Sequence, residues 1–393
     1  MGPEMGLSAR STHARVAVSP AEFFVEQSAA PPLSLPQRTF RQMHARLRDH
    51  TELASLAVDA EPRGFLFPAR EKFDDLTMWA GAAGTTSHTH YDTWPNSYAQ
   101  VYGRKRFLLW PPEQWKGLAL HPHAHPAHRR SQLEFDEEAG GVAHCAASGS
   151  WASRLTSYLP PGLRGGNRRA TRENVAPLLS AAADPVGTAG AAKDVCAPIE
   201  AVLEAGDLLY LPPYWLHQVT SISFSVALSA LSDGEEGGRF DRACKQGLPA
   251  SLLDRAAPPG ARAAAARRLL SVLLLALLPA HEAAGYTRDA IARTRYAPLE
   301  APQLRCGEPF PGCDGAAAGQ LAIAARAAGA EERAVGLAVA GVLRGGGGGS
   351  GSQHAPAELD GASHIILQDY LEHVAGFAVG MPGLCSFLES CFL

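Results

Sequence analysis

The chain has 393 residues, of which 46% are hydrophobic and 19% charged, so a large core is expected and wholesale disorder is not. The net charge of -4 provides no basic surface of the kind that nucleic-acid-binding proteins present, so no nucleic-acid partner is expected. No stretch reaches the roughly 18 consecutive apolar residues of a membrane span, so no membrane partner is expected either.

The predicted elements change in kind along the chain. Short aromatic and β-branched runs such as "LTMWAG", "SYAQVYG" and "SISFSVALSAL" are separated by Gly, Pro and Asp, a pattern typical of an antiparallel barrel or sandwich. Ala/Leu/Arg-rich segments with helical spacing follow. The predicted domains are an N-terminal helical and extended layer (1–75), a β core (76–235) with a low-complexity insertion (137–198), a helical region (236–343), a Gly/Ser linker (344–352) and a C-terminal helix (353–393).

The cysteines favour a reducing compartment. There are seven, an odd number, and none are arranged as CxxC. A disulfide framework is unusual in so long a chain, so a cytoplasmic or nuclear location is expected. The N-terminal stretch bears Arg and Ser and is nearly free of acids, which leaves an organellar transit peptide open. Cys306 and Cys313 are too isolated to predict a zinc site.

Candidate metal ligands cluster in "GTTSHTHYDTWPN", residues 84–96. On a strand, alternate residues share a face, so His88, His90 and Asp92 are candidates for one site. A second β block, "EAGDLLYLPPYWLHQV", brings His217. Two imidazoles and one carboxylate on one side of a metal leave the other side open, as in non-haem Fe(II) oxygenases. A hydrolytic zinc site stays open as an alternative.

A lysine in the strand "KRFLLW" favours one of these alternatives. Lys105, Phe107 and Leu109 share one face of the strand, and Arg106 takes the other. An inward lysine needs an anion or a lowered pKa, and a dicarboxylate co-substrate would be such an anion. The alternative is a solvated charge on an edge strand, the common situation for lysine.

These segments together resemble a known family. "GTTSHTHYDTWPNSYAQVYGRKRFLLWPPEQW", "HPAHRRSQLEF" and "EAGDLLYLPPYWLHQV" are similar to the JmjC/cupin-8 group of Fe(II)- and 2-oxoglutarate-dependent oxygenases, and most similar to its asparaginyl hydroxylases of hypoxia-inducible factor. The resemblance covers residues 76–135 and 198–231. It implies a mainly β fold with α additions: a double-stranded β-helix (jelly-roll) core followed by C-terminal helices. It also implies that the run "HPHAHPAH" (121–128) is a loop.

Residue by residue, the resemblance implies that His90, Asp92 and His217 are the catalytic iron ligands and that His88 falls outside the triad. Five further residues are implied to contact the co-substrate or line its cavity: Lys105, Ser87, Asn96, Tyr98 and Trp215. Lys105 would pair with the distal carboxylate of 2-oxoglutarate, Ser87 would donate a hydroxyl to it, and Asn96 would lie near the metal-chelating end.

The implied reaction consumes O2 and 2-oxoglutarate at Fe(II), yields succinate and CO2, and hydroxylates a side chain of a protein or peptide substrate. Two alternatives remain: a JmjC histone lysine demethylase, and a non-catalytic cupin-like metal-binding or scaffold protein. Ala227 and Phe24 stand where the hydroxylases have Asn and Tyr, and both departures favour the non-catalytic alternative. The resemblance also allows a homodimer through the C-terminal helices.

Overall fold

The computed structural model describes residues 42–46, 49, 76–133, 198–232, 234, 236–299, 306–313, 320–345 and 359–393. The described residues fall into two compact units. The strand unit contains those up to Pro111 together with 198–234, and the helical unit contains 112–133 and the residues from 236 onward. The predicted insertion at 137–198 lies almost wholly outside the described residues, as does Phe24, and the predicted domain boundaries stay predictions.

The strand unit consists of two antiparallel sheets. Its strands are β1 Gln42–Arg46, β2 Leu76–Gly81, β3 Thr86–Tyr91, β4 Asn96–Tyr102, β5 Lys105–Trp110, β6 Ile199–Leu203, β7 Leu208–Leu211, β8 Leu216–Ser221 and β9 Ser225–Leu231. The order is β1-β2-β9-β4-β7 in the five-stranded sheet and β3-β8-β5-β6 in the four-stranded sheet. Neighbours in the sheets are distant in sequence, as expected for a jelly roll, so the predicted fold class is confirmed.

The inner faces of the two sheets form one core. On β5, Lys105, Phe107 and Leu109 are buried while the intervening residues are partly exposed, as the sequence alternation predicts. The cluster combines residues of both sheets: Tyr98, Phe107, Leu109, Leu203, Leu211, Trp215 and Ala227. Because pairing fixes which side chains share a face, a strand residue opposite one of these must also point inward.

The helical unit contains α1 Arg239–Cys244, α2 Ala250–Leu253, α3 Pro259–Leu277, α4 Ala280–Ala283, α5 Gln320–Arg326, α6 Ala330–Leu343 and α7 Gly361–Ser390, with a π-helix at Arg288–Tyr296 and short 3-10 turns at Pro112–Gln114 and Ala297–Leu299. The apolar run "LLSVLLLALL" lies in α3 and is largely buried, as predicted. A Cβ on Gly336 of α6 would lie 3.0 Å from the Val272 side chain of α3, so this glycine permits close helix packing.

Helix α7 is the one described helix long and apolar enough to cross a membrane, with a mean hydropathy of 1.3 over its best window. Over half of that window, 56%, is buried inside the protein, and core helices of soluble proteins pass the same test. The helix is interrupted at Gly380, where φ is 71°, shortly before Pro382. Most of its apolar side chains are buried within the chain, although Phe377 is 38% exposed, and α7 offers no support for the homodimer that the resemblance allows.

The histidine run lies in a loop, as predicted, and the loop packs on α7. The backbone N–H of His123 donates to Glu372, which also accepts from Arg295 and from the Tyr296 hydroxyl at 2.6 Å each. Burial raises the pKa of Glu372, and the Arg295 charge opposes that shift. Among the described residues, no group that can hold a metal includes a histidine of this loop.

The expectation that disulfides are absent is wrong for four cysteines. Cys306 pairs with Cys385 and Cys313 with Cys391, with Cα atoms 5.1 Å apart in each pair. The partners are 79 and 78 residues apart in sequence, so the local spacing of the cysteines does not predict these pairs. They are brought together by the packing of residues 306–313 on the end of α7.

The turn between β4 and β5 requires glycine at position 103. Gly103 has φ of 70°, and a Cβ there would lie 2.0 Å from the Phe224 carbonyl oxygen. Gly103→Ala is therefore expected to destabilise the strand unit by roughly 3 kcal/mol or more in urea unfolding. Gly84→Ala is the matched control, since its φ is 75° but nothing lies within 4 Å, so about 1 kcal/mol is expected. Equal losses would contradict the clash.

Candidate metal centre

A β-bulge in β3 places His90 directly opposite His217 on β8. Ser87 pairs with Val219, whereas His90 pairs with His217, so β3 contains one residue more than β8 between these pairs. Strict alternation would place Ser87 and His90 on opposite faces. Because of the extra residue, Ser87 and His90 lie on the same face as His217 and Val219. Val219 packs against the core cluster, so this face points inward. Two imidazoles thus lie side by side, with ring centroids 4.3 Å apart.

Both imidazoles are oriented by backbone carbonyls. His90 Nδ1 lies 2.7 Å from the His88 carbonyl oxygen, and His217 Nδ1 lies 3.0 Å from the Trp215 carbonyl oxygen. A carbonyl oxygen only accepts, so each Nδ1 donates, and in the neutral ring this leaves the lone pair on Nε2. This is the arrangement found around metal-ligating histidines, in which the second nitrogen fixes the ring.

Asp92 supplies the carboxylate from the loop that follows β3. Its Oδ2 lies 3.8 Å from His217 Nε2, and its backbone carbonyl accepts from the N–H of Tyr214 at 2.8 Å. Tyr214 has φ of 63°, a conformation that a bulky residue adopts at a cost of about 1–3 kcal/mol. The hydrogen bond from Tyr214, in the turn before β8, therefore holds the Asp92 loop in place. No pattern in the sequence predicts this contact.

The residues present fit one metal ion. Ligand atoms of His90, Asp92 and His217 all lie within 4.8 Å of one another, and no other group of three is found among the described residues. Two ligands each about 2.1 Å from an ion are at most about 4.2 Å apart, so small side-chain adjustments suffice. His88 is not part of the group, as the resemblance implies, and its carbonyl orients His90 instead.

Asn96 connects Asp92, which follows a strand of the four-stranded sheet, to the five-stranded sheet. Its amide nitrogen donates to Asp92 Oδ2 at 3.1 Å, and its amide oxygen accepts from the Ser229 hydroxyl at 2.9 Å. The carboxylate only accepts, so the amide nitrogen of Asn96 faces Asp92, and the amide oxygen is left to accept from Ser229. The sequence pointed to Asn96 as a neighbour of the co-substrate, and that role stays a prediction. Ser229 was missed, because a serine in an apolar strand carries no specific signal.

Removing this support is expected to weaken metal binding. Asn96→Ala should lower the Co(II) or Fe(II) affinity by about 10–100-fold, the usual effect of losing a group that orients a ligand. Ser229→Ala should have a smaller effect, since Asn96 can still donate. Ser225→Ala is the control, because Ser225 is equally buried on the same strand but bonds Ser221. Equal affinities in all three variants, measured by metal titration, would contradict the role.

Lys105 is buried on the same inner face. It pairs with Ser221 on β8, two inward positions from His217, and only 2% of its surface is exposed. Its Nζ donates to the Tyr98 hydroxyl at 2.7 Å. Burial lowers the pKa of Lys105 to about 8 and raises that of Tyr98. No carboxylate among the described residues pairs with Lys105, and such a cation is prepared for an anionic ligand.

The lowered pKa gives a pH dependence. Above about pH 8 Lys105 is mostly neutral in the ligand-free protein, so binding of a dicarboxylate as an ion pair requires Lys105 to take up a proton from solvent. The affinity for 2-oxoglutarate is therefore expected to fall as pH rises through 8, up to about tenfold per pH unit. Titration calorimetry from pH 6.5 to 9.5 would measure it, with Lys105→Arg, which stays charged, as the control. An unchanged inflection in that variant would contradict the assignment.

The remaining predicted residues lie on the same face. Ser87 shares it through the bulge, and Trp215 packs in the core cluster with Tyr98. The predicted contacts of Ser87 and Trp215 with a co-substrate stay predictions. Ala227 is fully buried in the same cluster, opposite Trp79 on β2 and Gln100 on β4, so it adds no polar group to the site.

Comparison with known proteins identifies the family. The model of the cupin-like domain family matches residues 22–230, just over half of the chain. The chain belongs to the cupin-like domain family. The family-level resemblance seen in the sequence is thereby confirmed, and the described part of this cupin-like domain includes all nine strands and the candidate metal centre.

Two curated relatives have similar segments. Lysine-specific demethylase JMJ32 of Arabidopsis thaliana is 28% identical over 180 residues, 43% of this chain and 44% of that protein. Lysine-specific demethylase 8 of Danio rerio is 42% identical over 66 residues, 16% of each chain. The chain therefore spans less than half the length of these relatives. The finer resemblance to asparaginyl hydroxylases stays a prediction.

Solved structures with partial similarity include the ribosomal oxygenase YcfD of Escherichia coli. One such structure is 14% identical with a TM-score of 0.24, covering 57% of this chain and 40% of that chain. Another, a complex with cobalt and succinic acid, is 16% identical with a TM-score of 0.25, covering 58% and 45%. Likeness at this level carries no argument about the chemistry of this chain.

Proposed function

We propose that the chain is an Fe(II)- and 2-oxoglutarate-dependent oxygenase that hydroxylates a side chain of a protein substrate. One observation carries the proposal: two imidazoles and a carboxylate converge on one point, and a buried lysine with no described carboxylate partner lies on the same inner face. A zinc hydrolase has use for the first feature but not for the second.

Each residue has a defined task in this proposal. His90, Asp92 and His217 would hold Fe(II), and three protein ligands leave positions for a co-substrate and O2. The metal, when bound, supplies the oxidative chemistry that couples loss of CO2 from 2-oxoglutarate to C–H hydroxylation. Lys105 would bind the distal carboxylate of 2-oxoglutarate while Tyr98 orients its ammonium group. The apolar cluster around Phe107 and Leu109 would exclude water.

Turnover of 2-oxoglutarate to succinate tests this proposal. The full chain with Fe(II), ascorbate and O2 is expected to form succinate, and a metal chelator should stop the reaction until Fe(II) is restored. Zinc should not restore it, because Zn²⁺ has no redox chemistry. No succinate and no Fe(II)-dependent binding of 2-oxoglutarate would leave the non-catalytic binding protein as the better explanation.

A lysine demethylase is the second candidate, favoured by the names of the two curated relatives. Mass spectrometry on a peptide library separates the two reactions. A hydroxylase leaves its product heavier by one oxygen, whereas a demethylase leaves a methyl-lysine peptide lighter by one methylene per turnover and releases formaldehyde. Methyl loss without a hydroxylated product would replace the proposed hydroxylase by the demethylase.

A further inference from the structure

A short segment of the helical unit, residues 306–313, is attached to the last turns of α7. This clamp, as we call residues 306–313 with 385–391, contains both disulfides, Cys306–Cys385 and Cys313–Cys391. The segment itself contains no helix or strand. It therefore depends on α7 for its position.

Non-covalent contacts fix the same register as the disulfides. The N–H of Gly307 donates to Glu389 at 2.7 Å, and the N–H of Phe310 donates to the Ser390 hydroxyl at 3.0 Å. The ring of Phe310 packs edge-on against Phe387 with centroids 5.2 Å apart. Because these contacts lie between the two cysteine pairs, both pairs close without any shift along the helix. A single alignment of the segment on α7 therefore brings both cysteine pairs together.

Three of the four paired cysteines are more buried than the free cysteine of the same unit. Cys385 and Cys391 are fully buried, Cys313 is 8% exposed, and Cys306 is partly exposed. Cys244 is a free cysteine, and burial followed by the Asp241 charge raises its pKa to about 11, so it reacts poorly. Each bridge includes one fully buried cysteine, which hinders a small reductant and is typical of structural rather than transient bridges.

We propose that both pairs are native structural disulfides and that the chain folds in an oxidising compartment. In each pair two thiols lose two protons and two electrons to the disulfide of a thiol oxidoreductase, which leaves as a dithiol. Compartments that sustain this chemistry include the lumen of the secretory pathway, whereas the cytosol and nucleus keep thiols reduced. This replaces the cytoplasmic or nuclear location expected from the sequence.

The substrate class follows, and this step rests on the proposed function. An oxygenase confined to an oxidising lumen acts on polypeptides that pass through that lumen. Histone tails and other nuclear substrates are then excluded by location, and the demethylase alternative loses its target. The disulfides themselves do not depend on any activity, so their test is separate from the turnover assay.

The pairing is tested on the full chain without reduction. Pro309 and Pro311 separate Cys306 from Cys313, and Glu389 separates Cys385 from Cys391, so digestion with a prolyl endopeptidase and a glutamyl endopeptidase together distinguishes the two pairs. After blocking free thiols and digesting the denatured protein, mass spectrometry should find the peptide of Cys306 joined to that of Cys385, and the peptide of Cys313 joined to that of Cys391. Free thiols at these four positions, or the exchanged pairing, would overturn the proposal.

Stability gives a second readout. The double variant Cys306→Ser/Cys385→Ser should lower the Tm by roughly 5–15 °C, and a reductant should lower the Tm of the wild type but barely that of a variant lacking both bridges. Cys244→Ser is the matched control and should leave the response to reductant intact. If the wild-type Tm is the same with and without a reductant during the thermal scan, a structural role of the bridges is contradicted.

The compartment is tested in cells that express the full chain. Acid quenching followed by thiol alkylation traps the redox state before lysis exposes the protein to air. The proposal expects the four cysteines of the clamp to be protected from alkylation until reduction, and the chain to fractionate with a membrane-enclosed lumen. Four alkylated cysteines in the quenched sample would place the chain in a reducing compartment and overturn the proposal, whatever the turnover assay reports.

Discussion

His90→Ala and Asp92→Ala are expected to abolish both high-affinity metal binding and succinate formation. Each removes one of the three ligands of the proposed metal site, and the remaining two would not hold a divalent ion against water and buffer. Metal affinity should fall more than the roughly 100-fold that loss of an orienting group produces. Metal titration and succinate formation measure the two effects separately. A folding defect would be recognised by an altered circular dichroism spectrum.

His88→Ala is the matched control for His90→Ala. The two histidines lie two residues apart on β3, but only His90 belongs to the metal group. The backbone carbonyl of His88, which orients His90, is retained in the alanine variant. Metal affinity and turnover close to wild type are expected. If His88→Ala loses the metal as completely as His90→Ala does, the assigned triad is wrong.

Lys105→Met is expected to separate stability from co-substrate binding. The KM for 2-oxoglutarate should rise at least about 30-fold, since losing one partner of a buried ion pair costs about 2 kcal/mol or more. Without ligand, the variant should be no less stable than wild type at pH 7. The depressed pKa means that the folded state resists protonation, and methionine removes that penalty while filling a similar volume.

Arg106→Met is the control on the adjacent position of the same strand. Arg106 lies on the outer face, where it forms a bidentate bond with the partly exposed Glu200. Its loss should leave the KM for 2-oxoglutarate unchanged and cost at most about 1 kcal/mol of stability. A Lys105→Met variant that binds 2-oxoglutarate normally would show that the lysine has only a structural role.

The sequence by itself determined the composition of the site. Histidine and aspartate in a β-rich segment, a distant histidine after a second β block and a lysine at an inward strand position are all local patterns, because side-chain alternation follows from the backbone. The same local physics predicted the buried helix α3 and an antiparallel barrel or sandwich, whereas the jelly-roll class was implied by the family resemblance. Lys105 is the clearest case, since its parity with Phe107 and Leu109 was sufficient to predict its burial.

Tertiary structure alone decided how these residues meet. The bulge in β3 is set by pairing with β8, and the Ser229–Asn96–Asp92 chain connects residues 133 positions apart at its first bond. The disulfides likewise join cysteines nearly 80 residues apart, against the expectation from cysteine number and spacing. Such contacts depend on which surfaces pack together over the whole unit, and no local pattern of residues encodes them.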